Sequence, residues 1–149
     1  MYTPHVVTVY NVTEDPTTLA LNYNVTILDG VFLDIGKTST ISKLGVENAD
    51  AVQLFVPFSV SAKDGTTGAT KTYLSPKQYR ASTDKSSHWT LEPGGKSSGV
   101  DCFFVKGNVV SQDGYKYLRE NYDYVFDVTT VDLRDFGSAD MQHWQVGGK

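Results

Sequence analysis

The residues best equipped for chemistry in this chain do not assemble into a familiar constellation. Gly36-Lys37-Thr38 looks like the end of a phosphate-binding loop. That motif needs a glycine where Val31 stands, and no helix-forming segment follows to present its N-terminus to a phosphate. His5, His88 and His143 are far apart and lack companions at ligand spacing. With Cys102 as the single cysteine, neither a structural zinc site nor an internal disulfide is expected. Cys102 lies in the apolar run VDCFFV and reads as a small buried hydrophobe. The acidic residues show no EF-hand spacing, and no GxSxG elbow marks a nucleophile. The expectation is a protein with no catalytic residues, no metal and no cofactor.

Composition points the same way. The chain has 149 residues, 40% hydrophobic and 20% charged, which suits one domain with a real core. Nine Tyr and seven Phe, with abundant Val and Thr, favour strands. A net charge of −4 opposes tight nucleic-acid binding but not proximity to DNA. No basic-then-apolar leader and no apolar run long enough to span a bilayer occurs, so a soluble protein without a membrane partner is expected. Asn11-Val12-Thr13 and Asn24-Val25-Thr26 match the glycosylation pattern and read as chance matches on strands.

The elements that must position these residues are mostly extended. Residues 5–11 (HVVTVYN) form a strand ended by Glu14-Asp15-Pro16. Residues 21–35 carry two period-two sets, Tyr23, Val25, Ile27 and then Val31, Leu33, Ile35. Asp29-Gly30 between them is either a bulge or a tight hairpin turn. Residues 36–50 are polar and poorly periodic, a long loop. Residues 51–60 (AVQLFVPFSV) are the clearest strand, with Val52, Leu54, Val56 and Phe58 on one face and Pro57 suggesting an edge or bulge.

Residues 61–99 are the least regular. Ser75-Pro76 signals a short helix, and Trp89-Thr90-Leu91 a short strand. Residues 102–110 return to strand. Residues 113–121 have helical character, with Tyr117 and Leu118 facing the core. Residues 122–131 alternate, with Tyr122, Tyr124, Phe126 and Val128 on one side. Residues 141–146 form a last strand or an arm, and Gly147-Gly148-Lys149 should fray. The expected fold is mainly β: a small antiparallel barrel or sandwich with one or two short helices and long loops. It is read as one domain over residues 1–149, with an irregular insertion at about 61–99 and an extended arm at about 135–149.

Two segments carry a resemblance. The first runs from VTILDGVFL (residues 25–33) through a polar loop to ADAVQLFVPF (residues 49–58). The second is DFGSADMQHWQVGGK (residues 135–149). Together they resemble the small minor capsid proteins encoded between the capsid and tail genes of phages and prophages of Gram-positive bacteria. The strand order is similar to that of the broader head-closure or head–tail joining class.

That resemblance implies a virion protein of the neck, assembled in the host cytoplasm. Its partners would be its own copies in a ring of about twelve, or about six. A portal or adaptor protein would lie above, a tail protein below, and packaged DNA would pass through without sequence-specific binding. It further implies a channel-facing loop that helps retain DNA, mapped onto Lys37, Thr38, Ser39, Ile41, Lys43, Leu44 and Glu47.

In the tail, Phe136, Met141, His143, Trp144 and Val146 are candidate subunit-interface residues, because so apolar a segment either packs back on its own domain or docks on the next subunit. Alternatives are a tail-terminator or capsid-decorating protein, or a carbohydrate-binding domain with Trp89 and Trp144 as stacking platforms.

Overall fold

A computed structural model describes residues 2–15, 17–35, 52–93 and 100–149. Among the described residues the fold is mainly β, with two short α-helices and one 3-10 turn at Ala139–Met141. The strands are β1 (His5–Glu14), β2 (Leu21–Asp34), β3 (Val52–Pro57), β4 (Ser61–Asp64), β5 (Thr72–Tyr73), β6 (His88–Trp89), β7 (Val100–Lys106), β8 (Val125–Arg134) and β9 (His143–Gly148). The helices are α1 (Pro76–Ala81) and α2 (Tyr115–Asn121).

The large sheet is antiparallel throughout and runs β1-β7-β8-β9-β3-β2-β4. A further pairing of β1 with β2 joins its two flanks, so six strands close into a ring. Closure gives each of the six strands a partner on both sides over part of its length and encloses the main core, with β7 and β8 meeting over only three residue pairs.

β1 and β2 form a hairpin whose register slips once. His5 faces Val31, but Val6 faces Asp29, so Gly30 is the extra residue. Gly30 sits at φ +97°, a conformation open to glycine at little cost. Asp29-Gly30 is therefore a bulge, not a turn. Its effect is a change of phase: Leu28 points into the ring before it, and Val31 and Leu33 do so after it.

The interior holds Val7 and Val9 from β1, Leu54 and Val56 from β3, Cys102 and Phe104 from β7, Phe126 and Val128 from β8, and Trp144 and Val146 from β9. A second, smaller cluster lies outside the ring, where Leu118 of α2 covers Tyr10, Phe103 and Val125. Tyr10 and Phe103 stack with ring centroids 4.7 Å apart.

The irregular stretch after β3 is integral to the core. β4 pairs with β2, and Lys71 N–H donates to Ala62 O to keep the chain close. α1 starts as expected: Gln78 N–H donates to Ser75 Oγ while Ser75 N–H donates to Gln78 Oε1. β5 and β6 pair in parallel, and Trp89, Thr90, Leu91 and Glu92 are then all buried. Asn11 Nδ2 donates to Thr90 O (2.9 Å), which fixes this segment across the inside of β1.

Several expectations need correction. Tyr117 is exposed, and Tyr115 instead packs against Phe103 at 4.9 Å. Tyr122 and Tyr124 precede β8 and are exposed, so only Phe126 and Val128 of that set reach the core. Gly147 and Gly148 do not fray. Both are buried and paired between β3 and β8, and Lys149 exchanges backbone bonds with Asp127 (3.0 and 3.2 Å).

Candidate interaction surface

The same alternation that fills the ring decides what its outer wall presents. With Val31 and Leu33 inward, Phe32 points out. With Leu54 and Val56 inward, so does Phe55. With Trp144 and Val146 inward, so do His143 and Gln145. Register places Phe32 opposite Phe55, and Phe55 opposite Gln145 beside His143.

The result is a row of rings crossing four strands, β1, β2, β3 and β9: His5 to Phe32 (5.6 Å), Phe32 to Phe55 (5.8 Å) and Phe55 to His143 (5.6 Å). Tyr2, 74% exposed, adds a fifth ring 6.1 Å from Phe32. His5 is held by more than stacking, because Leu33 N–H donates to its Nδ1 at 3.0 Å. That bond covers the edge of β2 where β1 stops. A contiguous, half-exposed aromatic surface of this kind suits contact with another protein.

A second apolar patch lies at the tip of the β8–β9 hairpin. Leu133, Phe136 and Met141 are 59%, 67% and 50% exposed.

The candidate interface residues thus separate. Phe136 and Met141 are on the surface. His143 is half-buried in the aromatic row, its Nδ1 2.9 Å from Met141 O. Trp144 and Val146 are core residues: Trp144 packs on Phe58 (4.5 Å), Tyr73 (4.3 Å) and Trp89 (5.7 Å) inside the ring. The same burial removes Trp89 and Trp144 as platforms for a sugar, since they are only 2% and 8% exposed. Lys37, Thr38, Ser39, Ile41, Lys43, Leu44 and Glu47, the expected channel loop, lie outside the described residues.

The groups that could do chemistry are otherwise occupied. Cys102 is buried against Asn11 and Thr90, and burial pushes its thiol up to about 12, far from a reactive thiolate. His88 Nδ1 contacts Asp84 O at 2.8 Å. Among the described residues no three His, Cys, Asp or Glu side chains gather as a metal site would require.

One buried polar knot was not anticipated. Lys71, only 4% exposed, donates from Nζ to Asn24 Oδ1 (2.6 Å), Thr26 Oγ1 (2.9 Å) and Val25 O (3.2 Å). Asn24 Nδ2 in turn reaches Tyr79 Oη (2.8 Å), Lys85 O (2.6 Å) and His88 O (2.9 Å). Burial pushes the Lys71 ammonium down to about 8, and the charge of Asp64 opposes this. Three acceptors match its three N–H donors, so the knot ties the 61–93 stretch to β2 rather than leaving a nucleophile free. A shallow polar cleft of about 310 Å³ adjoins the knot, lined in part by Asn22, Tyr23 and Lys85.

No curated protein and no solved structure matches this chain. Residues 2–149 do match one family, so the chain belongs to the Family of unknown function (DUF6751).

Proposed function

We propose that this chain is a structural subunit of a tailed-phage particle, one copy in a homo-oligomeric ring at the neck, where the capsid joins the tail. One observation carries the reading. The two segments that resemble small minor capsid proteins fold as the adjacent strands β2, β3 and β9, and their shared outer face is the aromatic row. Sequence likeness and surface character thus fall on the same wall of the molecule.

A ring subunit needs two different surfaces that meet head to tail. The aromatic row and the hairpin-tip patch of Leu133, Phe136 and Met141 are two distinct apolar surfaces available for this. Trp89, Leu91 and Trp144 fill the ring of strands, so packaged DNA would pass through the centre of the oligomer and not through a subunit. The portal or adaptor protein would seat on one rim and the tail protein on the other.

The test is a phage that carries this protein's gene, with the gene deleted. Filled heads without tails, or emptied heads, are expected by negative-stain imaging, and normal infectious particles would overturn the proposal. In wild-type particles about a dozen copies or fewer are expected. Hundreds of copies would instead mark a capsid-decorating protein.

A further inference from the structure

The β8–β9 hairpin outruns β7. β7 pairs with β8 only where Phe103, Phe104 and Val105 face Asp127, Phe126 and Val125, whereas β9 follows β8 out to Arg134. The direction of each backbone group beyond that point follows from two sets of bonds. Asp127 and Lys149 exchange both of theirs, and on the far side of β9 Phe58 N–H donates to Gln142 O. In an antiparallel ladder successive residues alternate sides. The alternation runs unbroken along β9 from Gln142 to Lys149, whereas β8 slips by one residue between Val128 and Thr130. Asp132 and Arg134, opposite Gln145 and His143, therefore direct their N–H and C=O groups to β9, and Val131 and Leu133 direct theirs the opposite way. Among the described residues no strand pairs with that edge. Leu133 is 59% exposed there.

We propose that this edge docks on the same edge of a second copy, antiparallel, about a two-fold axis through Leu133. The charge pattern selects both the partner and the register. Asp132 and Arg134 share one face, with Arg134 Nη2 3.9 Å from Asp132 Oδ2 and both side chains substantially exposed. With the axis at Leu133, Asp132 of each copy stands opposite Arg134 of the other, at the closely spaced positions of the ladder. The two Leu133 residues then exchange both backbone bonds at the centre. Moving the axis to Val131 sets Asp132 opposite Thr130 and loses both charge pairs. A partner that supplies Arg and Asp in this order, running in reverse, is this sequence itself.

Such a contact is isologous and closes at two copies, so it cannot propagate a ring. It describes the protein before assembly, covers an edge that otherwise templates aggregation, and stands independently of the neck reading.

Sedimentation equilibrium on the purified full chain, from about 1 to about 100 μM, tests it. A dimer is expected. Asp132→Arg sets like charges opposite each other twice and should weaken the dimer about tenfold or more. The double swap Asp132→Arg with Arg134→Asp should restore it. Leu133→Pro removes the N–H that points to that edge and should yield a monomer whose thermal unfolding matches that of wild type diluted until it too is monomeric. A monomeric wild type, a dimer insensitive to both Asp132→Arg and Leu133→Pro, or a double swap that fails to restore association overturns the proposal.

Discussion

Lys71 offers a sharp test of how the irregular stretch is bound to the ring. Its ammonium is 4% exposed and titrates near 8 in the fold, against an ordinary value of 10.5. Below pH 8 the lysine is charged in both folded and unfolded chains, and the folded state bears the whole cost of burying that charge. Between pH 8 and 10.5 the folded chain releases the proton while the unfolded chain keeps it, so stability rises with pH. A displacement of this size corresponds to about 3 kcal/mol across the window.

Other groups act in the opposite sense. Burial raises Tyr10, Tyr79 and Tyr115 to about 12, and Cys102 likewise, so each lowers stability once its unfolded counterpart ionises. The comparison that isolates Lys71 is the difference between wild type and Lys71→Met, since the tyrosines and the thiol are common to both. Urea unfolding of the two proteins at half-unit steps from pH 7 to 10 should show wild type gaining about 2–3 kcal/mol on the variant. A difference that stays flat within about 0.5 kcal/mol would falsify the buried-ammonium account.

Further outcomes follow from packing. Gly148→Ala introduces a Cβ 2.8 Å from Val52 Cγ2 and 3.1 Å from Phe126 Cβ, and should cost about 1–3 kcal/mol in urea unfolding; a neutral result would mean the segment does fray. Trp144→Ala should destabilise the isolated chain by about 3–5 kcal/mol, whereas Phe136→Ser at the exposed hairpin tip should leave its unfolding within about 0.5 kcal/mol of wild type. Cys102 should resist a thiol reagent at pH 8 in the native protein and react at once in denaturant; native labelling on the timescale of mixing would contradict its burial.

The local patterns were legible in the sequence, and their partners were not. Two period-two runs in β2, offset by one residue, required something at Asp29-Gly30. The dipeptide suits a bulge and a turn equally, and the choice was made by β1, which is long enough to pair on both sides of it. Alternation in β9 separates Trp144 and Val146 from His143 and Gln145, yet which pair faces inward depends on β3 and β8. Phe32 and Phe55 were visibly out of phase with their aliphatic neighbours. Their adjacency exists only in the register of β2 with β3. Lys71 gave no sign at all: it stands in a polar stretch that reads as solvated, and only the closure of β2 over residues 61–93 buries it. The Tyr115 and Tyr117 exchange arose because α2 is only two turns long, too short for its period to define a face.

The place of β9 in the sheet constrains how the molecule can form. It lies between β3 and β8, yet follows every other strand of the ring along the chain. During synthesis β3 and β8 emerge with one edge each unpaired and wait for it, and the hydrophobic interior stays open to water meanwhile. Closure joins segments separated by most of the chain, from β3 at Val52–Pro57 to β9 at His143–Gly148, which places folding in the slow, millisecond-to-second regime of non-local β proteins. A nascent chain stopped before His143 would be a half-built wall with two adhesive margins, a natural client for chaperones and a ready seed for aggregates.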